Sequence, residues 1–223
     1  LRAGGAGGRR GRRRRDEVGR PAGVRRPSPQ NGWVEIYDGV KFETRFDDRR
    51  APDAPAAHAL LGWCRAFLEQ GFTTADEASG NLSCRLDEGV LITPTHVSFE
   101  ALGVEDLVQV LELEPTPGPV HVRGTREPSS EVRMHAAIYA ACPDVQAVFH
   151  GHAGKIVRRA AEGAFPCTAE VRPYGTDALA EDAAALALDE PFFVLRDHGF
   201  VAVGRTMEEA GARAVAAWKQ VAR

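Results

Sequence analysis

The chain has 223 residues, 43% of them apolar and 26% charged, an ordinary globular balance that buries a core without disulfide staples. No apolar run nears the roughly 18 residues of a membrane span, and collagen-like, coiled-coil and disulfide-scaffold architectures are excluded. The formal net charge of -3 joins a basic arm, with ten arginines against Asp16 and Glu17 over residues 1–31, to an acidic body that is a poor surface for nucleic acid.

The arm, Leu1–Asn31, is Gly, Arg and Pro with almost nothing apolar. It is expected to be a disordered Arg/Gly-rich extension, because it cannot bury enough surface to offset chain entropy. It lacks the apolar stretch of a secretory signal. A basic tail for nucleic acid is the other reading, disfavoured because no aromatic residue is present for base stacking.

The remainder, 32–223, is expected to form one α/β domain. Ala54–Gln70 places Leu60, Leu61, Cys64, Phe67 and Leu68 at helical spacing, and Gly71 stops it. Asn81–Arg85 and Val90–Thr93 predict a hairpin across Asp87-Glu88-Gly89. Leu107–Leu113 predicts a strand and Pro115–Pro119 a loop. Ser130–Cys142 predicts a helix, Val145–His152 a strand and Gly154–Ala161 a short helix. Thr176–Leu188 is a helix, Phe192–Leu195 and Phe200–Val203 are strands, and Met207–Val221 closes the chain as a helix. Cys64, Cys84, Cys142 and Cys167 form no CxxC pair, which suits reduced thiols in a cytoplasmic protein.

Two of the seven histidines stand at i and i+2, His150 and His152 in VFHGHAG. On a strand such residues share a face, about 6.6–6.8 Å apart at Cα. Their imidazoles can converge on one ion with bonds near ~2.0–2.1 Å. Gly151 between them leaves the other face open to close packing. His198, in LRDHGF before Gly199, is the candidate third ligand. Three neutral imidazoles leave a position for water or substrate, the pattern of a catalytic zinc site. An HxH pair also arises without a metal, so spacing leaves both readings open. His58, His121 and His135 are assigned to a surface helix, a loop and a helical core position.

Glu127-Pro128-Ser129-Ser130-Glu131 marks a helix N-terminus. Free backbone N–H groups there, with the hydroxyls of Ser129 and Ser130, can cradle an anion such as phosphate. Glu131 has two readings, a partner for the helix dipole or a base beside the metal. Gly80-Asn81 enters a strand, and by itself is only a turn.

Together ASGNLSCR, LITPT, PSSEVRMHAAIYAACPDVQAVFHGHA and RDHGFVAVGRTMEEA resemble the class II aldolase/adducin family from Leu60 to about Ala210. The resemblance implies a three-layer fold, a central, largely antiparallel sheet flanked by helices. It implies a homotetramer, zinc or another divalent transition metal at one ion per chain on His150, His152 and His198, and Glu131 as catalytic acid/base. It further implies that Gly80, Asn81, Thr95, Ser129 and Ser130 hold a substrate phosphate, with cleavage of a ketose 1-phosphate between C3 and C4. A Schiff-base aldolase is disfavoured, because Lys155 lies beyond the HxH and no lysine falls in another motif. Epimerases of the family place Asp where Glu131 stands, and adducin-type interaction domains lack the zinc histidines. A dehydratase or decarboxylase on the same scaffold stays open. The chain departs from the family at His96, where a Gly is usual. That imidazole is expected to crowd the anion pocket or to touch a different substrate.

Overall fold

Along β8 (Ala147–Gly151), Ala147 and Phe149 pack toward one face and Val148 toward the other, and all five residues are buried. A strand buried on both faces requires a layer on each side. The computed structural model, which describes residues 25–26, 34–35, 38–73, 80–112 and 118–222, supplies both layers.

The eight-stranded sheet runs in the order β3 (Thr44–Asp48), β7 (Val120–Arg123), β6 (Val108–Val110), β5 (Val90–Ile92), β4 (Gly80–Arg85), β8, β10 (Gly199–Gly204) and β9 (Phe192–Leu195). Every neighbouring pair is antiparallel except β3 with β7. Helices α1 (Ala57–Gln70), α3 (Gly154–Ala161) and α5 (Met207–Val221) cover one face, joining Leu82, Phe149 and Phe200 in a single core. Helices α2 (Val132–Ala141) and α4 (Asp177–Ala187) cover the other, with Val148, Phe193 and Val201. Phe67, Phe72, Phe149 and Phe200 meet at centroid separations of 5.0–6.0 Å. Each such ring contributes roughly 1.5–3 kcal/mol through burial.

The element ends follow local chemistry. Gly71 adopts φ +71° after α1, and the N–H groups of Gly71 and Phe72 return to the carbonyls of Leu68 and Phe67. Thr176 and Thr206 cap α4 and α5 by accepting from the N–H groups of Leu179 and Glu209. The β4–β5 hairpin turns at Gly89, at φ +74°. Helix α5 approaches α1 at Gly211, where a Cβ would come within 2.1 Å of the Trp63 ring.

The expected helices and strands are present, with shifts. Helix α2 begins at Val132, two residues later than expected, and β6 covers Val108–Val110 of the expected Leu107–Leu113. Strands β3 and β7 were not anticipated. His121 therefore lies on β7, not in a loop, with its Nδ1 2.9 Å from Asp47 on β3. The expectation for the arm falls outside the described residues, apart from β1 (Arg25–Arg26), which pairs antiparallel with β2 (Val34–Glu35).

Candidate metal and active site

The site forms at the end of β8, where β4 and β10 flank it. His150 follows Val148 on the α2 side of the sheet. Gly151 points the other way, where a Cβ would lie 2.8 Å from the Phe200 ring and 3.1 Å from the Phe72 carbonyl. The N–H of His152 donates to that same carbonyl at 2.8 Å, fixing the chain as it leaves the strand. His198 enters from the turn between β9 and β10, with Asp197 at φ +54° and the His198 N–H donating to Leu195 O at 3.0 Å. The three imidazoles form a near-equilateral triangle, with centroid separations of 4.7, 4.9 and 5.1 Å.

The fit to a cation rests on the ring chemistry. Nδ1 of His150 lies 2.8 Å from Phe200 O and donates to it, so Nε2 of the neutral ring carries the lone pair. That Nε2 is 2.8 Å from Nε2 of His152. Burial, then the neighbouring His198, holds His150 well below the ordinary imidazole pKa. Burial, then His150 and His198, does the same for His152. Both rings are therefore neutral at neutral pH, the state in which an imidazole binds a metal.

Glu131 sits at the N-cap of α2, with φ -102°, and its side chain makes no capping bond. It turns instead to the histidines. Oε2 is 3.2 Å from Nε2 of His150, and Oε1 is 3.4 Å from Nε2 of His198. Buried Oε1 of Glu131 and Nδ1 of His198 have no hydrogen-bond partner among the described residues. Ligand atoms of Glu131, His150, His152 and His198 all lie within 4.8 Å of one another. Three converging imidazoles are a donor set a divalent transition metal takes, and a carboxylate oxygen with no hydrogen-bond partner beside them suits its charge.

Behind Glu131 runs a buried polar chain. Asn81 Nδ2 donates to Glu131 Oε2 at 2.9 Å, and Asn81 Oδ1 is 2.5 Å from His135 Nε2. His135 Nδ1 is 2.7 Å from Ser83 Oγ, which is 2.9 Å from Tyr139 OH. His135 is buried, as expected of a helical core position, and its two ring nitrogens carry these bonds besides. Its spacing four residues after Glu131 puts both on one helical face, a signal available in the sequence.

The other expected residues gather beside this cluster. An isolated antiparallel bridge joins Pro94 to Pro128, with Thr95 N donating to Glu127 O at 3.1 Å and Ser129 N to Thr93 O at 3.1 Å. This sets Thr95 and His96 against the segment carrying Ser129 and Ser130, both buried. Gly80 pairs with Gly151 and Asn81 with His150, and a Cβ on Gly80 would lie 2.7 Å from His150 O. Gly175, at φ +65°, packs on Ser130, where a Cβ would meet the Ser130 carbonyl at 2.8 Å. The preceding residue, Tyr174, is tied to the N-terminal segment: Lys41 Nζ donates to Tyr174 O at 2.8 Å, and Tyr174 OH bonds to Asp38. His96 adopts φ +50° with an exposed side chain. It keeps the left-handed backbone for which glycine is the default. A cleft of about 360 Å³ bordered by Cys142, Leu188 and Arg205 lies at the opposite ends of β8 and β10, away from these residues.

Comparison with known proteins places this geometry. Residues 58–221 match the model of the Class II Aldolase and Adducin N-terminal domain. The chain is 32% identical over 166 residues to a 3-oxo-tetronate 4-phosphate decarboxylase of Haemophilus influenzae, covering 66% of this chain and 75% of that protein. It is 30% identical over 170 residues to the L-fuculose phosphate aldolase of Escherichia coli K12, covering 69% and 75%. The solved structure of an L-fuculose 1-phosphate aldolase superposes with a TM-score of 0.65 at 24% identity, covering 76% of this chain and 86% of that one. The three-layer fold, the order of the motifs and these matches agree: the chain belongs to the class II aldolase and adducin N-terminal domain family.

Proposed function

We propose that the protein is a metal-dependent lyase that breaks a carbon–carbon bond one carbon removed from a carbonyl, in a small phosphorylated hydroxy-carbonyl substrate. One observation carries the reading: a buried carboxylate, Glu131, is held by Asn81 against three converging histidines. His150, His152 and His198 would hold zinc or another divalent transition metal, one per chain, which when bound would supply a Lewis acid for the substrate's carbonyl oxygen. Glu131 then moves the proton, taking it from the substrate hydroxyl as the bond breaks and returning it to the carbon left behind. Burial keeps bulk water from that carboxylate. Ser129, Ser130, Thr95 and Gly80 are the groups we assign to the substrate phosphate, with His96 at the edge of that pocket; Asn81, expected among them, has its amide engaged by Glu131 and His135 instead. The reading includes a homotetramer in the cytoplasm, in keeping with the family resemblance and the free thiols. Among the described residues, no helix is long and apolar enough to cross a membrane.

Decarboxylation of a 3-oxo acid phosphate is the second reading, favoured by the Haemophilus influenzae relative. Both reactions leave an electron pair on the carbon next to the carbonyl, so one site serves either. They differ in the departing fragment. An aldehyde leaves only after a hydroxyl loses its proton, whereas carbon dioxide leaves from a carboxylate that is already ionised.

The test is to offer the metal-loaded protein ketose 1-phosphates and 3-oxo acid 4-phosphates while following aldehyde and carbon dioxide release. Aldehyde release lost in Glu131→Gln supports the aldolase, and carbon dioxide alone selects the decarboxylase. Release of neither, from folded and metal-loaded protein, rejects the lyase reading.

A further inference from the structure

Five polar side chains interleave between α2 and β4. Glu131, His135 and Tyr139 are spaced by four on the helix, while Asn81 and Ser83 are spaced by two on the strand. They alternate in the order Glu131, Asn81, His135, Ser83, Tyr139, each within hydrogen-bond distance of the next. Glu131, Asn81, Ser83, His135 and Tyr139 are all at most 5% exposed. Apolar side chains would fill such a space without the cost of burying so many polar groups.

We infer that His135 is a positioning residue, which fixes the amide of Asn81 and through it the carboxylate of Glu131. The inference rests on the lyase reading above for its kinetic arm alone. The direction of each bond follows from chemistry. An ionised carboxylate only accepts, so Asn81 turns its NH2 toward Glu131. That leaves Asn81 Oδ1, again only an acceptor, facing His135 Nε2, so Nε2 carries the ring hydrogen. The neutral ring then offers a lone pair at Nδ1, to which Ser83 donates. Ser83, having used its hydrogen, accepts from Tyr139 OH. One polarity runs through the chain and ends on Glu131. The opposite tautomer would attract the Asn81 NH2 to its bare Nε2 and turn Oδ1 against the Glu131 carboxylate, acceptor against acceptor. Burial pulls the His135 pKa down to about 4, consistent with a neutral ring.

The full-length protein labelled with 15N-histidine reports the tautomer by NMR. The expected result is a neutral His135 with its hydrogen on Nε2, protected from exchange. A hydrogen on Nδ1 overturns the inference. The kinetic arm compares His135→Leu with His135→Gln, whose terminal amide can replace Nε2–H as donor to Asn81. His135→Leu is expected to lose 10- to 100-fold in kcat, with KM and metal content held, and His135→Gln to recover most of it. Equal kcat in the two variants also overturns the inference. If His135→Leu fails to fold, the comparison is made between His135→Gln and Asn81→Ala. The expected order then has Asn81→Ala lower in kcat, and the reverse order overturns the inference. Should the wild type turn over no substrate, the lyase reading fails, while the tautomer still decides this one.

Discussion

Gly199 and His150 leave no room for a side chain between them: a Cβ on Gly199 would lie 2.7 Å from Cε1 of His150 and 2.8 Å from Cδ2 of His152. The turn carrying His198 thus folds onto the HxH pair because the next residue is glycine. Gly199→Ala is expected to push the two rings apart and weaken metal affinity at least tenfold. The overpacking costs about 1–3 kcal/mol of stability. Equilibrium dialysis with zinc, beside thermal unfolding, measures both. Unchanged affinity would show that the turn has slack.

His150→Ala is expected to abolish most metal uptake with the fold retained. It also removes the imidazole's bond to the Phe200 carbonyl, which keeps its place opposite Gly151 in the ladder. Losing one such bond costs about 0.5–1.5 kcal/mol, so the apo variant should melt below the apo wild type. Metal analysis after purification and calorimetry of the two metal-free proteins check the two halves separately.

Glu131→Gln keeps the shape and removes the proposed base. Turnover is expected to fall by ~10²–10⁴-fold, with metal content close to that of wild type because the histidines remain. A variant that turns over normally would leave Glu131 a structural partner of Asn81.

His96 separates backbone from side chain. At φ +50° a β-branched residue is strained, so His96→Val should cost about 1–3 kcal/mol, whereas His96→Gly should cost little. If the imidazole occupies anion space, His96→Gly also tightens binding of inorganic phosphate. Calorimetric titration of both proteins decides that, and equal affinity would remove His96 from the pocket.

Acid should destabilise the metal-free protein through His135. Unfolding frees the ring to take up a proton below ~6.5, while the folded ring stays neutral down to about 4. Between those values the unfolded state binds more protons, so stability falls as pH is lowered, by about 3 kcal/mol for this group, and levels off below. Urea unfolding at stepped pH measures the slope, and His135→Gln should flatten it.

Much of this was legible along the chain. Helices α3 and α5 and strand β9 have the bounds their periodicity implies. His150, His152 and His198 come together, with His152 one residue past the end of β8 rather than on it as expected. Strand β3 was not legible, because TRFDD offers one large apolar residue and lies at the sheet edge, where its residues alternate between half-buried and exposed. Its partner β7 is short and alternates Val with His121 and Arg123, too brief a pattern to stand out although β6 flanks its other side. The bonds of His135 were hidden differently. On α2 it reads as one more inward position, and only the register of β4, which sets Asn81 and Ser83 opposite, gives its two ring nitrogens partners.

The tie from Asp38 and Lys41 to Tyr174, and from Gly175 to Ser130, has a consequence for where this structural unit ends. The stretch matching the family begins at residue 58, yet the backing of the candidate anion loop starts twenty residues earlier. A protein trimmed to the family boundary would keep every proposed ligand and lose the brace behind Ser130, along with the one parallel strand of the sheet. It should still take up metal while its grip on phosphate slackens, so that the N-terminal flank acts as a tuning element for a site to which it contributes no ligand.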